Sequence, residues 1–263
     1  MRNKFLLTSF LLISFSLQSQ ILIALLLGES LNTGKIEFGL DGGMNFANIG
    51  NMDSRSYGRD FNLGFYFDFK IKERWYLNTG VLAKSSLGLD NLEEDDLDFL
   101  GATTYDVKGD YRQRINYFLV PALARYKFKN HMYAELGPQF GLATKAYIQF
   151  DSDIEGNEAR IRQTNTDMIN RFDMGMAVGT GYRLLKGLGW TLGIRYYYGF
   201  LDVYKDRSGT KNSSLFLKVN IPVGLSSEKK EEIRAMKASL KEKKSQKKAA
   251  KKTARQDKKS SNQ

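Results

Sequence analysis

The sequence predicts an all-β protein: an eight-stranded antiparallel up-and-down transmembrane β-barrel followed by a C-terminal basic helical/disordered tail. Three observations lead there. From Ile36 onward apolar residues recur at every second position rather than at helical spacing. The eight runs that show this period are each longer than the roughly 9–11 residues a tilted strand needs to cross a bilayer. The segments between them alternate short and long, the asymmetry of outer-membrane barrels, which have tight turns on one side and extended loops on the other.

Taken in order, residues 1–19 read as a signal peptide, with Arg2 and Lys4 before the apolar run Phe5 to Phe15 and the break Ser16-Leu17-Gln18-Ser19 after it. Residues 20–35 form an apolar N-terminal segment around Ile21–Leu27, which docks on the barrel rim, the bilayer interface or a partner unless it leaves with the signal. Residues 36–225 are the barrel, with strands expected at Ile36–Ile49, Arg59–Lys72, Arg74–Leu89, Ile115–Lys129, Met132–Phe150, Arg171–Leu185, Trp190–Val203 and Leu215–Leu225. Tight turns fall at Lys72–Arg74, Asn130-His131 and Lys186–Gly189. Long polar connections fall at Gly50–Gly58, Asp90–Arg114, Asp151–Asn170 and Tyr204–Ser214. With an even strand number, both termini lie on the short-turn side, the periplasmic one.

Residues 226–263 are a Lys-rich periplasmic tail. They carry 14 Lys/Arg and 5 Asp/Glu, so nine of the +11 net charges sit there and the barrel is nearly neutral. Ile233, Met236 and Leu240 at helical spacing start a short helix that gives way to Lys-rich disorder. In the periplasm nucleic acid is out of reach, so the tail's charge suits anionic lipid, cell wall or an acidic periplasmic partner.

Hydrophobic residues make up 42% of the chain and aromatics 13%, enough for a large buried or lipid-facing surface. The faces say which. Phe61, Leu63, Phe65, Phe67, Phe69 and Ile71 share one face of the second strand, and Trp190, Leu192, Ile194, Tyr196, Tyr198 and Phe200 one face of the seventh, with no charge among them. The opposite faces carry Glu37, Asp41, Asp68, Lys70, Arg125, Lys127, Glu135, Asp173, Arg183, Arg195 and Lys218, interleaved with glycines. A Lys or Arg facing lipid at the midplane costs about 2–4 kcal/mol, so this second set faces the lumen. Eight strands enclose just enough room for side chains, so a lumen charge network reads as packing before it reads as a pore.

Little else carries chemistry. The absence of Cys excludes disulfides, zinc-thiolate sites and cysteine nucleophiles. The single His131 lies in a turn, and there is no nucleophile elbow, phosphate loop or paired-His motif, so no catalytic residue and no cofactor are expected. Asp151-Ser152-Asp153 begins like a calcium loop, but Arg162 stands where the bidentate Glu belongs. The acidic stretch Asp90, Glu93, Glu94, Asp95, Asp96 and Asp98 is the candidate binding site, for divalent cations that bridge lipopolysaccharide or for cargo, against the plain reading of a solvated loop.

Several pieces in order resemble the PorT-like outer-membrane β-barrel family of Bacteroidota: Lys35-Ile36-Glu37-Phe38-Gly39-Leu40, then Asn116-Tyr117-Phe118-Leu119-Val120-Pro121 through Phe128, Glu135-Leu136-Gly137-Pro138, Phe172-Asp173-Met174-Gly175 and Arg195-Tyr196-Tyr197-Tyr198-Gly199. The resemblance implies an eight-stranded outer-membrane barrel. The family's namesake is linked to type IX secretion and gliding, so a non-enzymatic envelope scaffold or binding role is expected, in contact with outer-membrane lipid and with periplasmic or secretion-machinery proteins. A small-solute porin is the alternative, an envelope enzyme a remoter one. The chain departs from simpler members in its basic tail and in ending its last strand at Leu225, where such barrels usually place an aromatic.

Overall fold

A computed structural model describes residues 35–154, 157–224, 231–243 and 246. The expected signal peptide lies outside these residues, as do most of the apolar segment and much of the tail. Among the described residues nine strands form: β1 (Ile36–Ile49), β2 (Ser56–Lys72), β3 (Trp75–Asp90), β4 (Asp110–Lys127), β5 (Met132–Ile154), β6 (Asn157–Thr164), β7 (Phe172–Arg183), β8 (Thr191–Asp202) and β9 (Lys211–Pro222). All pairings are antiparallel. Eight strands close a ring, β1-β2-β3-β4-β5-β7-β8-β9, in which β9 returns to β1 with Leu40 opposite Ile221.

The ninth strand corrects the sequence reading, which left Asp151–Asn170 as one loop. β5 is long enough to change partners: Met132–Leu142 pairs with β7, while Tyr147–Ile154 rises past the ring and pairs with β6. The Asp151-Ser152-Asp153 stretch, which begins like a calcium loop in sequence, is therefore extended strand. β4 likewise begins at Asp110 rather than Ile115, because Gln113, fully buried, faces inward while Arg112 and Arg114 face out. Polar residues on both faces hide such a strand from a hydrophobicity pattern. β2 and β9 also start earlier than expected, at Ser56 and Lys211, and the last strand stops at Pro222.

The packing is inverted relative to a soluble protein. Phe172, Val178, Trp190, Leu192 and Ile194 are exposed, whereas Asp41, Asp68, Arg125, Glu135, Asp173, Arg195 and Lys218 are buried inside the ring. Only a hydrocarbon surround makes that arrangement favourable, since it hydrates none of the charges and accepts all of the apolar surface. Phe38, Phe65, Phe67 and Phe69 build an outer ladder, with Phe38 and Phe67 centroids 4.9 Å apart.

The two ends differ. Both ends of the ring sequence, Ile36 and Pro222, lie with the tight turns, which carry left-handed residues at Glu73 (φ 40), His131 (φ 68), Leu185 and Lys186 (both φ 51). At the other end a short helix, α1 (Glu94–Phe99), buries Leu97 against Leu92, Leu100, Val203 and Tyr204, and the cluster continues down to Ile49, Leu87, Leu89 and Ile115. This apolar cap packs over the loop end. In the tail, residues 231–243 are helical, with Leu240 exposed.

Glycines on the lumen face make room for long side chains. A Cβ at Gly179 would stand 2.8 Å from Glu135 Oε1 and 2.9 Å from the Ile194 carbonyl oxygen. Gly179→Val should overpack this layer and lower unfolding stability by about 1–3 kcal/mol, read as a shift in the urea midpoint of the folded barrel in detergent.

Candidate functional site

The lumen residues come from strand positions that alternate with the lipid-facing ones, and they pair both between neighbouring strands and across the ring. Glu135 on β5 accepts from Arg125 on β4 at 2.6 and 2.9 Å through Oε2, and from Arg195 Nε on β8 at 2.8 Å through Oε1. Arg125 also donates to Asp68 on β2 at 2.9 and 3.0 Å and stacks 4.3 Å over the Tyr133 ring. Arg195 Nη2 donates to Asn78 on β3 at 3.0 Å. In the eight-membered ring β3 and β8 are opposite strands, so this one bond crosses the full lumen.

Further pairs fill the layers above and below. Lys127 reaches Asp68 at 2.7 Å, Arg183 reaches Glu37 at 2.6 Å, and Lys218 donates to Asp41 at 2.6 Å. Among the described residues Asp173 forms no ion pair, and it accepts from Asn212 Nδ2 at 2.8 Å. Lys70, the last of the eleven expected lumen charges, is exposed where β2 runs out of the ring, and it joins none of these pairs. Below the bridge the lumen opens toward the termini as a cavity of about 320 Å³ lined by Glu37, Lys127, His131 and Arg183. Its inner end is the bridge itself, at Asp68 and Arg125.

The six acids expected to form a binding site do not come together. Asp96 is fully buried under the cap, where it accepts from the Ser54 backbone N–H at 2.7 Å, the Asp53 N–H at 3.1 Å and Arg207 Nη1 at 3.2 Å. It thus ties α1 to the β1–β2 and β8–β9 connections. Asp90 turns to Arg114 at 2.5 Å, leaving Glu93, Glu94, Asp95 and Asp98 exposed. Among the described residues no group of three or more His, Asp or Glu is placed to hold a metal ion. Sequence spacing counts charges along a loop and cannot see that a one-turn helix points one of them inward.

A cluster that the sequence reading passed over lies on the outer wall where β2–β6 rise above the ring. Arg59, Lys84, Arg112, Arg114, Arg160 and Arg162 line a groove of about 500 Å³. Two bulges shape it, at Ala83-Lys84, where β3 carries an extra residue against both neighbours, and at Thr144 in β5. Asp151 bridges Arg160 at 2.6 Å and Arg112 at 3.3 Å. Partial burial pushes its carboxyl upward, but hydrogen bonds from Arg160 and Gln149 and the two guanidinium charges outweigh this and hold it below the usual carboxylate range. The period-two spacing of Arg112/Arg114 and Arg160/Arg162 was the available signal, muted because both pairs sat in stretches read as loop.

With the inside-out ring and its charged lumen established, the comparison with known families decides the class: the family described as outer membrane protein beta-barrel domain matches residues 18–205. The chain belongs to that family. No match was found among curated proteins. Solved structures similar to this outer-membrane barrel include Ail, the attachment invasion locus protein of Yersinia pestis, at 13% identity over 72% of this chain and 99% of that one (TM-score 0.38). Neisserial surface protein A is similar at 13% identity over 71% of this chain and 96% of its own (TM-score 0.36). The outer membrane protein AlkL is similar at 15% identity over 74% and 95% (TM-score 0.34).

Two substitutions separate the roles of the buried acids in this outer-membrane barrel. Glu135→Gln leaves Arg125 and Arg195 short of their shared carboxylate, and should lower unfolding stability by about 3–5 kcal/mol, measured by urea titration of the detergent-solubilised protein. Asp96→Ala should leave the ring intact but free the cap. The expected result is new protease cleavage within residues 91–109 while the barrel keeps its compact mobility on unheated gels.

Proposed function

We propose that this outer-membrane barrel is a closed, non-enzymatic scaffold or binding protein of the envelope, with its loop end outside the cell and its two termini in the periplasm. The observation that carries the reading is the side-chain bridge from β3 to β8 through Asn78, Arg195, Glu135, Arg125 and Asp68, which fills the cross-section of the ring. The apolar cap over the loop end adds a second closure. A barrel filled in this way has two surfaces to work with, the rim of folded loops and the termini end with its basic tail.

The side assignment is supported by the alternation of connections, since short turns and both chain ends share one rim and the capped loops the other. The finer reading, an accessory of type IX secretion or gliding, draws on the sequence resemblance alone. Contacts with periplasmic proteins or cell wall through the Lys-rich tail belong to the same proposal.

Three measurements test it together. In planar bilayers the purified barrel is expected to give no steady conductance; a stable open channel would replace the scaffold reading with a porin. An epitope at Asp106 should be reachable by antibody on intact cells and one at the C-terminus should not. Purification from native outer membranes in mild detergent should bring envelope proteins in stoichiometric amounts, and secretion or gliding subunits among them would support the finer reading.

A further inference from the structure

We propose that the groove on the outer wall of β2–β6 is a binding site for the phosphorylated sugar headgroup of a lipid in the outer leaflet. Six cations line the groove, and the carboxylates in reach are four, Asp60, Asp90, Asp110 and Asp151. Arg114 is taken up by Asp90 at 2.5 Å and by the carbonyls of Leu89 and Gln113, and Asp151 is shared between Arg112 and Arg160. Arg59, Lys84 and Arg162 form no ion pair with a described residue and are exposed. Arg112 Nε is enclosed without an acceptor in hydrogen-bond reach. A surplus of unpaired cations, most of them planar guanidinium forks on rigid strands, suits phosphate better than a carboxylate or a neutral sugar.

Height on the wall selects the lipid. Arg59 shares its face of β2 with Phe61 and Leu63, and Leu63 stands opposite Lys84. Arg112 and Arg114 share theirs on β4 with Phe118 and Val120. All four apolar residues are exposed to hydrocarbon. The cations therefore begin where the apolar band ends, at the level of headgroups, and on the face that lipid touches. Arg162 is anchored there rather than free, through Nε to Gln149 Oε1 at 2.9 Å and over the Tyr147 ring at 4.9 Å. On the opposite wall Lys211 and Asp202 neutralise one another at 3.0 Å.

The proposal rests on the loop end lying outside, and the test keeps the two apart. The full-length barrel is reconstituted in phosphatidylcholine nanodiscs doped with bisphosphorylated lipid A, with enzymatically dephosphorylated lipid A, or with phosphatidylglycerol, and bound lipid is counted by native mass spectrometry. Bisphosphorylated lipid A should be retained about tenfold or more over its dephosphorylated form, and the preference should fade with salt. The exposed triple variant Arg59→Gln/Lys84→Gln/Arg162→Gln should lose that preference while keeping its unheated gel mobility. Equal retention of the two lipid A forms by the wild-type protein would overturn the site without any variant. Binding of free pyrophosphate as tight as that of lipid A would make the ligand a soluble phosphate and overturn the lipid assignment. A preference for phosphatidylglycerol would overturn the outer-leaflet assignment, and the Asp106 epitope would then tell whether the orientation had failed as well.

Discussion

Glu135 held between Arg125 and Arg195 is the interaction on which the rest depends. Two arginines on strands separated around the ring need a common anion, and a carboxylate on β5 can reach Arg195 on β8 only if β7 between them offers no side chain of its own, which is why Gly179 stands there. Ion pairs inside a low-dielectric tube gain stability as their remaining donors and acceptors are met, and Asn78, Asp68 and Lys127 extend the same network downward, while Arg195 Nη1 finds no partner among the described residues. Once the charges are inside, the aromatics and aliphatics must be outside. The inverted packing, the glycine-rich lumen face and the side-chain network across the lumen are consequences of one decision about where charge goes.

Much of this was legible because the strand period is rigid. β1 was expected at Ile36–Ile49 and lies there, and the lipid-facing rows on β2 and β8 are the alternating runs picked out by pattern. Alternation assigns a face, however, and not a partner. Which acid meets which base depends on stagger around the ring, and Lys70 has the right parity yet sits past the lumen's end. Bulges break the parity itself: across Thr144 the outward positions of β5 change from Phe140 and Leu142 to Tyr147 and Gln149. A reader following period two through that point turns the upper half of the strand inside out.

The loops were the least legible part, for a physical reason. Their polar content marks solvent, but Leu92, Leu97 and Leu100 give α1 an apolar underside, and Asp96 is buried because four donors from two distant connections converge on it. Nothing local to 90–98 announces Ser54 or Arg207. The same holds for the groove on β2–β6, whose arginines come from three strands that sequence reading left partly in loops.

Closure of the ring also sets the order in which the molecule can be made. The last strand completes the barrel by pairing with the first, Ile221 beside Leu40 and Lys218 bonded to Asp41, across nearly the whole described chain. Until β9 is present, β1 and β8 each show an unpaired edge, and every lumen charge faces an open groove instead of its partner. Contacts so distant in sequence form late and slowly, and open edges invite pairing with the wrong chain. Such a strand array must be held apart from its neighbours, and its apolar face kept from water, until the first and last strands meet. The geometry of one seam thus makes escorted assembly a requirement of the fold.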